Sequence, residues 1–80
     1  MQMNEREELK QELEQELQWV QYRQKMLDII DGKLLQMKQV AEQAKEENLT
    51  KEERKAFSVR LNDLAAQVKA LDGESRKMLE

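Results

Sequence analysis

Cysteine, histidine and proline are all missing from this 80-residue chain, and glycine occurs only twice. Without cysteine there are no disulfides, no thiolate metal ligands and no thiol nucleophile. Without histidine, the usual general base and the commonest metal ligand are gone as well. So little glycine and no proline leave almost no punctuation for strands and tight turns, which argues against an all-β fold. No apolar run approaches the length that crosses a bilayer, and the start is acidic where a signal peptide would be basic and then greasy. The expectation is a soluble cytoplasmic chain with neither a membrane segment nor a cleavable signal.

What is present favours helix. Glu, Gln, Lys, Leu, Ala, Met and Arg dominate, and these are the strong helix formers. Eighty residues make one domain at most, near the size where a single core barely suffices. The net charge is −3, with both signs interspersed and no basic face of the kind that nucleic acid requires. Residues 4–17 are the most one-sided stretch, with six glutamates against Arg6 and Lys10. Clustered acid suits the N-terminal end of a helix, whose dipole is positive there.

Apolar residues recur at alternating three- and four-residue steps from Leu9 to Ala44, the heptad signature of helices packed side by side. One row holds Leu13, Val20, Leu27, Leu34 and Ala41. The next holds Leu9, Ile30, Met37 and Ala44, interrupted by Glu16 and Arg23. A third holds Trp19, Met26 and Val40. Three adjacent rows are too wide for a two-stranded seam and suit a helix with several neighbours.

The rhythm is lost over 45–50, where Asn48 is a plausible left-handed cap. Thr50 followed by Glu53 reads as a capping box, with Leu49 at the staple position before it. Phe57, Leu61, Leu64, Val68 and Leu71 then make a second stripe. Asp72-Gly73 reads as its end, and Met78 extends the row only if the helix continues. Folding about 48–50 sets Ala44 against Phe57, Ala41 against Leu61, Met37 against Leu64, Leu34 against Val68 and Ile30 against Leu71. Asp31-Gly32 is the one internal break signal, but Ile30, Leu34 and Met37 keep phase across it, so the long helix is expected to run through.

The predicted architecture is all-α: a long–short antiparallel helical hairpin, coiled-coil-like, completing a helical bundle by oligomerisation. Helix one spans about 4–47, the turn 48–50, helix two about 51–72 and a short tail 73–80, all one domain. Leu27, Ile30, Leu34, Met37, Ala41 and Ala44 are expected to form the hairpin core with Phe57, Leu61, Leu64, Val68 and Leu71. The first third of the long helix outruns its partner. Leu9, Leu13, Leu17, Trp19 and Val20 are therefore expected at an interface, with Trp19 its anchor.

No chemistry stands out. Glu8, Glu12 and Glu16 share a face but make at best a weak hard-cation site. No phosphate loop or nucleophile motif exists. The stretch Arg23, Lys25, Asp28, Ile30, Asp31, Lys33, Leu34, Leu35 resembles the first helix of the all-helical chorismate mutases. That resemblance would make Arg23 a ligand for a substrate carboxylate in an entwined dimer. The second arginine of that pattern is replaced, downstream, by Glu42, Gln43, Ala44 and Lys45.

A second resemblance covers residues 20–72. Leu34-Leu35-Gln36-Met37-Lys38-Gln39-Val40-Ala41-Glu42-Gln43-Ala44 is similar to a run in the N-terminal helical hairpin of flagellins. Leu49-Thr50-Lys51-Glu52-Glu53-Arg54 is similar to the turn of that hairpin, and Leu61, Leu64, Val68 and Leu71 follow in phase. The resemblance implies a bacterial helical hairpin that packs against other helices, a small flagellin-like structural protein. The expected function is a non-enzymatic interaction module that forms a homodimer or higher homo-oligomer, without cofactor, metal, nucleic acid or membrane. Two other readings stand beside it: an adaptor or chaperone-like binder of a partner helix, and, remotely, the chorismate-mutase-like enzyme.

Overall fold

The computed structural model describes residues 4–77 as two antiparallel helices, α1 (Glu5–Gln43) and α2 (Lys51–Arg76), joined by a seven-residue connection. Met78 and the rest of the expected tail's end lie outside the described residues. Each start is set by a side-chain cap. Asn4 accepts the amide of Glu7 at 2.9 Å, and Glu5, Glu7 and Glu8 fill the first turn of α1 where its dipole favours negative charge. At α2 the capping box is closed: the Glu53 amide donates to Thr50 Oγ1 at 3.0 Å, and the Thr50 amide donates to Glu53 Oε1 at 3.4 Å.

Three boundaries differ from the sequence reading. Helix α1 stops at Gln43, about a turn early, with Ala44 in right-handed helical conformation as its C-cap. No described non-glycine residue has positive φ, so Asn48 is not a left-handed cap. The last carbonyls are satisfied instead by a tightened final turn, in which Lys45 N donates to Glu42 O and Glu46 N to Gln43 O, both at 3.2 Å. Helix α2 does not end at Asp72-Gly73 but runs on to Arg76. That extra turn is held by side chains of Asp72 and Ser75, described below, which offset the intrinsic cost of Gly73.

Helix α1 is unbroken through Gly32. With 39 residues it is about 59 Å long, against about 39 Å for the 26 residues of α2. The molecule is a rod, 72 × 15 × 15 Å, with a radius of gyration of 20.4 Å where a compact chain of this length would have about 12 Å. Among the described residues, Ile30 and Leu64 are the only buried apolar ones, and Leu64 is fully buried. Around them Met26, Met37, Val40, Ala41 and Ala44 of α1 are half-buried, as are Phe57, Leu61, Val68 and Leu71 of α2. Leu27 and Leu34, expected in this core, are instead 40% and 47% exposed. The helices meet along the rows of Ile30 and of Met26, which turns the Leu13–Leu34 row aside.

A Cβ added at Gly32 would meet nothing within 4 Å. Gly32→Ala should therefore stabilise the chain by about 0.5–1 kcal/mol, through helix propensity alone. A urea titration followed by circular dichroism should show a later midpoint, and an earlier one would mean that α1 needs flexibility there.

Candidate interaction surface

The seam between the helices is apolar from Met26 to Ala44, but its far end is polar. Arg23 stands halfway along α1, with only 17% of its side chain exposed. Its Nη2 donates to Asp72 Oδ1 at 2.8 Å, and its Nη1 donates to Ser75 Oγ and, at 3.4 Å, to the Asp72 carbonyl. Ser75 is 1% exposed and returns a bond from its hydroxyl to the Asp72 carbonyl at 3.3 Å. Arg76 Nε closes on Asp72 Oδ2 at 3.0 Å from one turn further along α2. Lys33 makes a second cross-helix contact: its ammonium donates to Gln67 Oε1 at 2.6 Å. Both cations are half-buried.

This cluster marks where α2 stops. Arg23 falls at the midpoint of α1, so α2 covers the C-terminal half and leaves the N-terminal half bare. In the bare half the rows that face α2 further along become mixed, with three glutamates against Leu9 and Trp19. Glu16 continues the row of Arg23, Ile30 and Met37, while Glu5 and Glu12 continue that of Trp19 and Met26. The apolar character moves to one side instead. Leu9, Leu13, Leu17 and Val20 are 55–56% exposed, and the same stripe runs on through Leu27 and Leu34 beside the seam. At 100° per residue this stripe lies roughly 100° around α1 from the line of contact with α2.

From Leu9 to Leu34 the stripe is about 38 Å long. Leu9, Leu13 and Leu17 line an open apolar hollow with Arg6, Lys10 and Glu14 at its edges. Val20 and Leu27, with Arg23 and Gln24, line a second one. Of the five residues expected at an interface, these four leucine and valine side chains lie together on one face. Trp19 does not: it belongs to the seam rows, sits one turn beyond Arg23 and is 39% exposed.

Sequence reasoning missed the roles of Arg23, Lys33, Gln67, Asp72 and Ser75, because a cation inside a heptad row reads as an interruption. The available signal was charge pairing, since Arg23 and Asp72 are opposite in sign and lie near the two ends of an antiparallel pair. Arg23, which the chorismate-mutase resemblance would give to a substrate carboxylate, is here engaged by Asp72 and Ser75. Among the described residues no cluster of acidic side chains is arranged to hold a metal ion, and no helix is long and apolar enough to cross a membrane. Neither any family model, nor any curated protein, nor any solved structure matches the chain.

The bonds from Arg23, and then Arg76, hold the Asp72 carboxyl below its ordinary value, outweighing the opposing effect of burial. A pKa lower in the folded than in the unfolded chain stabilises the fold above the ordinary carboxylate value and loses that contribution as pH falls through the folded value. The wild type should therefore lose stability over an Asp72→Asn variant as pH drops below about 4. Urea midpoints of both proteins between pH 6 and pH 2 check this, and a gap that stays constant would refute it.

Proposed function

We propose that this protein is a non-enzymatic helical interaction module that self-associates through the apolar stripe of α1, with Leu9, Leu13, Leu17 and Val20 at its centre and Trp19 at its inner edge. The observation that carries the reading is the continuity of that stripe past the end of α2. Six large aliphatic side chains follow one another along a single helix face, each 40–56% exposed. Fully burying an exposed side chain of this kind is worth about 1.5–3 kcal/mol, and covering the half still exposed is worth about half of that. Covering that stripe would take out of water apolar surface that the hairpin leaves exposed.

The reading assigns no catalysis, cofactor or nucleic-acid partner. The flagellin-like segment, residues 20–72, coincides with the hairpin and its turn, and it supports the same kind of role, helix packed on helix. The adaptor reading, in which the stripe receives a helix of another protein, draws on the same exposed apolar face.

Leu13→Glu combined with Val20→Glu should leave the hairpin folded, since both side chains are exposed in the single chain. It should weaken self-association by about 100-fold or more. Light scattering over a dilution series should show an oligomer for the wild type and a monomer for the variant, with α2 still helical. An unchanged mass for the variant would remove the stripe from the interface.

A further inference from the structure

We propose that the partner on this stripe is a second copy running antiparallel, so that the bare half of each α1 serves as the third helix of the other copy's hairpin. The proposal rests on the self-association reading above and adds the geometry, which length and charge support and for which the exposed area leaves room.

The first is length. Arg23 divides α1 into a bare stretch, 5–22, and a covered stretch, 24–43, that are nearly equal. Two copies related by a two-fold axis near Gln24 bring each bare half against the other copy's covered half. The two α2 helices then end near the axis instead of overlapping. The stripe supports this alignment, since Val20 comes level with Leu27 of the other copy and Leu13 with Leu34.

The second is charge. The Arg23–Asp72 bond shows which flank of α2 lies on the stripe side, and the Lys33–Gln67 bond marks the opposite flank. Helical spacing puts Arg54, Lys69 and Arg76 on the stripe side, together with Ala65 and an Asp72 already paired to two arginines. The opposite flank carries Asp63 and Glu74 against Arg60. In the bare half, the edge that would look toward the other copy's α2 is the acidic one, with Glu5, Glu12 and Glu16. Antiparallel pairing therefore sets an acidic edge against a basic flank. A parallel pair would instead lay two stretches of six glutamates side by side.

The third is area. The chain exposes 7108 Å², whereas a compact protein of its mass would expose about 5,100 Å². The surplus, about 2,000 Å², exceeds the roughly 800 Å² per partner of a standard stable interface.

The absence of cysteine allows single spin labels to be placed cleanly. Lys10→Cys, Glu14→Cys and Gln24→Cys, each labelled with a nitroxide, report the distance between copies by pulsed electron resonance. The same samples are weighed by light scattering. Antiparallel pairing gives about 40 Å at position 10, about 29 Å at position 14 and a short distance at position 24, a fall of about 3 Å per residue. A dimeric mass with short distances at all three positions would overturn the antiparallel arrangement while leaving self-association intact. A monomeric mass at every concentration would overturn both.

Discussion

A side chain on a helix is dried only by what packs against it, and α2 is a single helix two-thirds as long as α1. It can cover one face over one stretch and nothing else. Helix α1 carries more apolar surface than that: the seam rows from Met26 to Ala44, and a side stripe from Leu9 to Leu34. The hairpin satisfies the first and leaves the second wet. Its elongated shape, its small buried core and its proposed mode of assembly all follow from that shortfall.

Arg23 fixes where covering ends. On one side of it the seam is mainly apolar, and on the other the same rows carry Glu5, Glu12 and Glu16 beside Leu9 and Trp19. An uncovered apolar seam in the first half of α1 would invite α2 to slide along by a heptad. The three glutamates in those rows disfavour that alternative, while the bonds from Arg23 to Asp72 and Ser75 hold the chosen register. Polar groups are thus spent on specificity, and apolar ones on attraction, at different angles around one helix.

Much of this was legible in the sequence. The closed capping box at Thr50 and Glu53 was readable because caps depend on local spacing alone. The passage of α1 through Gly32 was readable because the heptad phase does not slip there. Which two of three apolar rows would take α2 was not readable. Leu27 and Leu34 look more like core than a row containing Lys33, but hydropathy takes no account of the bond to Gln67 that lets Lys33 sit half-buried beside α2. The end of α2 was misplaced for a similar reason. Asp72-Gly73 is a turn signal in isolation, and only the arrival of Arg23 from about fifty residues away in the chain makes another helical turn favourable. Tertiary partners override local propensity at these sites.

The central claim is that the first half of α1 depends on a second molecule for its stability, whereas the hairpin does not. Residue-resolved amide hydrogen exchange at concentrations above and below dissociation tests this directly. The account predicts that amides of 5–20 are protected like those of 24–43 in the oligomer and lose that protection on dilution, while the hairpin keeps its own. Protection of residues 5–20 that does not change with concentration would contradict it.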